Sequence, residues 1–242
     1  SDVYKRQPSR PPAAPLRGHP RLTGPPPPTT LVRVNMFNPD SRFMCAFTLM
    51  ADIVILNMLM ILSSLPIVTG GAALRAANVV VGDMIQGLGS RYALQYLREF
   101  RTQTRPATLW WLVLLAAAVV LVYEQWVLFQ AGIDGAALFA LQALALSGAM
   151  VLAGISVWFF ALESLPSPID ATASPFSLAV VMTFKHLIHT LGALAVLWMG
   201  VSLVRFLPLV VAVPAVFFAV PALCVYVIRL VLARPLGQTL GE

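Results

Sequence analysis

Residues Met50 to Gly71 read MADIVILNMLMILSSLPIVTGG, and the fold turns on this stretch. From Ile53 to Val68 it is apolar apart from Asn57, Ser63, Ser64 and Pro66, and Thr69, Gly70 and Gly71 then close it. About 20 mostly apolar residues suffice for an α-helix to cross the hydrocarbon core of a bilayer. A helix of a water-soluble domain would keep a polar stripe opposite its buried face. None is present here, so a membrane span is expected.

Composition points the same way. Of the 242 residues, 59% are hydrophobic and 11% charged, and the mean hydropathy is +0.82. Soluble domains carry about 25% charged residues. So few charges cannot cover one large soluble domain. The expected class is all-α, a polytopic bundle of transmembrane helices.

Residues 1–35 are of another kind. Pro8, Pro11, Pro12, Pro15, Pro20 and the run Pro25 to Pro28 crowd a segment without apolar periodicity. Such a segment cannot bury enough surface to offset its chain entropy, so disorder is expected. It lacks the apolar centre of a signal peptide. Met36 is expected to be the native start, with 36–234 the membrane domain and 235–242 a short tail. Lys5, Arg6, Arg10, Arg17, Arg21 and Arg33, against Asp2 alone, put +5 of the +6 net charge before Met36. Without interleaved aromatic residues this arm is not expected to bind nucleic acid.

In the chain that follows, Asp40 or Ser41 is placed to cap the first helix. The stretch 72–86 reads as a short second span, and four more are expected at about 108–130, 136–162, 186–204 and 207–228. Arg91, Arg98, Arg101 and Arg105 form the densest basic loop after Met36, and cytoplasmic loops collect Lys and Arg. Arg42 falls on the same side by that rule, so an even number of crossings separates them. About six spans with both ends in the cytoplasm is the reading. Five, with 72–86 lying in the interface, is the fallback. Lys185, Arg229 and Arg234 then face the cytoplasm and Arg205 does not. The five tryptophans, Trp110, Trp111, Trp126, Trp158 and Trp198, stand near span ends as an aromatic belt would.

Four segments carry a resemblance to a known family: FNPDS at 37–41, ADIVILN at 51–57, SLPIVTGGAA at 64–73 and FRTQTRPATLWWL at 100–112. They resemble the YesL-like family of bacterial integral membrane proteins, over residues 36 to about 234. The sequence departs from that pattern between Val81 and Tyr92, where GDMIQGLGSRY replaces an acidic turn. The resemblance implies a multi-pass protein of the bacterial inner membrane that accompanies carbohydrate uptake and utilisation, with a carbohydrate ABC transporter as the expected partner.

The candidate residues for chemistry lie inside the apolar stretches, where charge is costly and marks function by default. Asp52 and Asn57 sit in the first span, and Arg75, Asn78 and Asp83 in the second. Counting about 1.5 Å per residue from the Pro66–Gly71 reversal puts Asp52 and Asp83 at one depth, where two carboxylates could share a proton. The plainer reading is that the carboxylates stay solvated near headgroups and the asparagines link helices.

His186 and His189 are three apart on one helical face, a spacing a metal site uses, but the only other histidine is His19. Cys45 and Cys224 stand alone, without zinc-like spacing. Segment 91–105 reads as an amphipathic cytoplasmic helix. Ala93, Tyr96, Leu97 and Phe100 share one face, and Arg98, Arg101 and Arg105 another. Its cations would meet anionic headgroups or a docking partner.

No complete catalytic, metal or cofactor constellation is present in this reading. The expected role is that of an accessory component working by helix packing and partner contact. A small-molecule transporter lined by Asn57, Arg75 and Asn78 is the alternative, and an intramembrane enzyme the next. The bilayer is the expected environment, with homo-oligomers left open.

Overall fold

A computed structural model describes residues 42–89, 91–102, 105–132, 134–166 and 174–238. The proline-rich arm, the Asp40 or Ser41 cap and the end of the C-terminal tail lie outside these. The described residues are helical, with no strand among them. In chain order the helices are α1 (Arg42–Ser64), a 3-10 turn (Ile67–Thr69), α2 (Gly70–Ile85), α3 (Tyr92–Arg101), α4 (Arg105–Ala131) and α5 (Gly135–Glu163). There follow α6 (Pro175–Lys185), α7 (Leu187–Phe206), α8 (Leu209–Phe218) and α9 (Val220–Ala233).

Four helices, α1, α4, α5 and α7, are long and apolar enough to cross a membrane. A fifth crossing is available if α8 and α9, bent by 55° at their junction, count as one span. The expected sixth is not reached among the described residues. At 16 residues α2 is about 24 Å long, short of the roughly 30 Å hydrocarbon core.

The long helices are inside-out relative to a soluble fold. In α4 only Ala107 and Leu128 are buried, while Val119, Val122 and Phe129 are exposed. In hydrocarbon such a surface needs no cover. The reverse holds for α2, whose Ala73, Ala76, Ala77, Val80 and Val81 are fully buried. This short helix is the packed centre of the molecule.

Small residues make that possible. A Cβ on Gly71 would be driven into the Ala107 carbonyl of α4, and one on Gly70 would come 2.7 Å from the Trp111 ring. Near the other end of α2, Gly82 lies against the Arg229 guanidinium, which is bonded to the Ala161 carbonyl of α5. Ala107 and Ala161 lie at matching ends of the antiparallel α4–α5 pair, joined by the Trp110 indole donating to Ser156 at 3.3 Å. Gly71 and Gly82 are about 16 Å apart along α2. The short helix therefore reaches from the Ala107 end of α4 to the Arg229 side chain of α9.

One helix has no counterpart in the expected spans. The apolar α6 opens with Pro175 after Ser174, whose Oγ accepts the Ser177 N–H at 3.1 Å.

Candidate functional site

Three of the buried polar residues, Asn57, Arg75 and Arg229, each anchor a group of bonds between helices. In the first, Asn57 of α1 is fully buried against the α8–α9 break. Its Nδ2 donates to the carbonyls of Val216 at 2.9 Å and Phe217 at 2.7 Å. Its Oδ1 accepts the Ala222 N–H at 2.7 Å. Pro221 at the start of α9 cannot donate, so the break leaves carbonyls behind it and an amide ahead of it. Asn57 takes both sets.

The second group joins α2 to α3. The buried Arg75 reaches the end of α3, donating to the carbonyls of Glu99 at 3.4 Å and Thr102 at 3.3 Å. Its Nη1 lies 3.6 Å from the Glu99 carboxylate. The last carbonyls of a helix have no partner within it and carry its negative end, so a cation there closes the terminus. Asp83 accepts a hydrogen bond from the Gln95 amide.

Tyr96, fully buried, shares a 2.5 Å hydrogen bond with Ser63 and points at the Ala73 carbonyl, 3.4 Å away. Burial pushes its phenol up to about 12, and the Ser63 bond offsets only part of that. The Tyr92 phenol is also raised, by burial first and then by the Asp52 and Asp83 carboxylates. Both acids thus lie near Tyr92, and no hydrogen bond joins them among the described residues.

The third group was not legible as a site. Arg229, expected to face the cytoplasm, is 1% exposed. Its Nη1 donates to the Ala161 carbonyl at 3.0 Å, while its Nε has no partner among the described residues. Gly82 admits it, because a Cβ there would come 2.5 Å from Nη2. The sequence does hold one signal, an arginine set within the apolar run VYVIRLVLA (225–233).

The remaining candidates separate. Asn78 donates from Nδ2 to the Leu74 carbonyl of its own helix at 2.9 Å. The His186 and His189 rings are 6.0 Å apart, with His186 tilted by 32° against the Trp158 ring at 5.7 Å. No third histidine, cysteine or carboxylate joins them among the described residues. Trp158 itself is fully buried and donates to Thr190 at 2.9 Å, so it belongs to the core rather than to an aromatic belt.

The basic helix is shorter than expected, ending at Arg101. Arg105 opens α4 instead. Tyr96 turns inward against α1 and α2 with Tyr92 and Phe100 beside it. Leu97, expected beside Tyr96, is exposed with Leu94. Arg91, Arg98, Arg101 and Arg105 are all exposed.

Beside α2 lies a cavity of about 680 Å³, with Met60, Leu74, Asn78, Leu121, Ser156 and Pro221 among its lining residues. Of the three residues expected to line a path, only Asn78 reaches it; Asn57 and Arg75 do not. Compared with known proteins, the chain matches no protein-family profile, no curated protein and no solved structure. The apolar helices make it a membrane protein.

Proposed function

We propose that this protein is a non-catalytic accessory component of a bacterial carbohydrate uptake or utilisation system in the cytoplasmic membrane. It acts by helix packing and by contact with a partner such as a carbohydrate ABC transporter. The system rests on the resemblance at 37–41, 51–57, 64–73 and 100–112. The mode of action rests on one observation: Asn57, Arg75 and Arg229 are engaged in bonds between helices. The exposed Arg91, Arg98, Arg101 and Arg105, with Leu94 and Leu97 among them, form the docking or headgroup surface.

Five crossings fit this reading, with the α8–α9 pair as one. An odd number puts the chain ends on opposite faces, whereas six crossings put both in the cytoplasm. Arg98, Arg101, Arg105, Lys185 and Arg234 then share the cytoplasmic face, and Arg42 and Arg205 are exceptions. Labelling of single cysteines at positions 42 and 238 from the cytoplasmic side of sealed vesicles, with Cys45 and Cys224 replaced, tests this. Equal accessibility at the two positions rules it out.

Affinity purification from native membranes tests the role. The expected result is enrichment of sugar-transporter subunits, reduced by reversing the charge of Arg98 and Arg101. A second reading, transport by this chain alone, is favoured by the broken helix, since discontinuous helices line transporter sites. Sugar flux into liposomes holding only this protein would establish it and displace the accessory role.

A further inference from the structure

The cavity beside α2 carries an inference independent of any partner protein. It is walled by α1, α2, α4, α5, α7, α8 and α9, and no charged residue lines it. Its volume of about 680 Å³ lies within the roughly 300–1,000 Å³ of small-molecule sites. Apart from the thiol of Cys224, the polar lining side chains are Asn78 and Ser156. Ser156 is engaged twice, donating to the Leu152 carbonyl at 2.6 Å and accepting from Trp110 at 3.3 Å. Asn78 uses Nδ2 on Leu74, and its Oδ1 accepts no hydrogen bond among the described residues.

We propose that this cavity binds the hydrocarbon chain of a membrane amphiphile whose polar end is an uncharged hydrogen-bond donor, held by Asn78 Oδ1. A sugar would bury several hydroxyls against one open acceptor, and each unpaired group is costly away from water. A phosphate or ammonium headgroup would find no counter-charge in the walls. A hydrocarbon chain asks only for dispersion contacts, which Leu74, Leu114, Leu121, Leu152 and Val157 provide. The walls come largely from helices that face lipid, so an amphiphile already lies in the phase outside.

The test uses the full chain in phosphatidylethanolamine–phosphatidylglycerol nanodiscs with a long-chain alcohol bearing a diazirine on its chain. After photolysis, residue-level mass spectrometry should find adducts concentrated on Leu121, Leu152 and Val157 over the exposed Val122 and Phe139. The methyl ether of the same alcohol cannot donate, and its cavity labelling should fall about two- to tenfold, the worth of one net hydrogen bond. Asn78→Leu should erase the difference between alcohol and ether. Ala153→Phe should lower cavity adducts while those on Val122 persist. Labelling no stronger in the cavity than on Val122 and Phe139 would mean lipid coating the outside only, and overturns the proposal. Equal labelling by alcohol and ether in the wild-type protein overturns the role of Asn78.

Discussion

Asn57 stands in for the amide that Pro221 lacks. In an unbroken helix the residue at 221 would donate to the Phe217 carbonyl, and a proline has no N–H to give. Asn57 meets that oxygen from α1 at 2.7 Å and accepts the Ala222 N–H at 2.7 Å on the far side of the break. One side chain thus closes two helix ends where hydrocarbon offers no water to do so.

Replacing Asn57 by Leu should therefore be among the most damaging single changes in the chain. It strands two carbonyls and one N–H, and buried unsatisfied groups cost about 1–3 kcal/mol each before the backbone relaxes. A net loss of about 3 kcal/mol is expected, read from thermal unfolding in detergent. Asn57→Asp should be no better, because a carboxylate cannot donate to Val216 and Phe217. Wild-type stability in the Asp variant would show that the carbonyl contacts contribute nothing.

The glycines should rank by what stands over them. Gly71→Ala sets a Cβ against the Ala107 backbone, which cannot swing aside, and overpacking of this kind costs about 1–3 kcal/mol. Gly82→Ala meets only the tip of Arg229, but that tip is held by Ala161, so its displacement gives up a hydrogen bond worth about 1.5–3 kcal/mol. Nothing lies within 4 Å of a Cβ on Gly148, and Ala there should be neutral or raise stability by up to about 1 kcal/mol. Unfolding midpoints for the three variants check the order. A Gly148→Ala loss matching that of Gly71→Ala would refute it.

The long spans were legible because their signal is length and hydropathy, and both are local. Thr108–Gln130 was expected and Arg105–Ala131 is found. The status of α2 was not legible. Arg75, Asn78 and Asp83 in an apolar run are what a lipid-facing or a protein-buried helix would both show, and only the long-range contacts of Gly71 and Gly82 reveal the packing. Asn57 could be read as a link between helices, but its partner lay 159 residues away at Val216. Pro221 alone did not announce a break, since proline at the start of a helix is ordinary. Arg229 was assigned by charge counting, a rule about loops, and a buried arginine defeats that rule.

Arg75 should govern whether α3 stays docked. Removing it as Arg75→Ala frees the carbonyls of Glu99 and Thr102 and takes from the Glu99 carboxylate its buried ion-pair partner, 3.6 Å away in the wild type, leaving only the exposed Arg98 at 3.9 Å. Breaking a buried pair of this kind costs about 3–5 kcal/mol when fully desolvated. Glu99 remains partly exposed, so about 2 kcal/mol is expected here. The loss should appear as faster amide hydrogen exchange across Tyr92–Thr102, with the exchange of α7 unchanged. Uniform acceleration over both helices would instead mean a global loss of stability and no special hold on α3.

Tyr96 gives the fold an alkaline limit that can be read directly. Burial raises its phenol from the ordinary 10.0 to about 12, so the folded chain holds this proton more tightly than the unfolded one. The stability linked to that proton is fully present below pH about 10 and is lost as the pH climbs through 12. Tyrosinate absorbance should show one phenol ionising about two pH units later than an exposed tyrosine, with unfolding following it. In Tyr96→Phe the late titration should disappear and stability should fall less steeply over that window. At neutral pH the same variant should be weaker by about 1 kcal/mol, because Ser63 loses one of its two hydrogen-bond partners. If the late-titrating phenol survives the substitution, it belongs to another residue, and Tyr92, also raised by burial, is the next to replace.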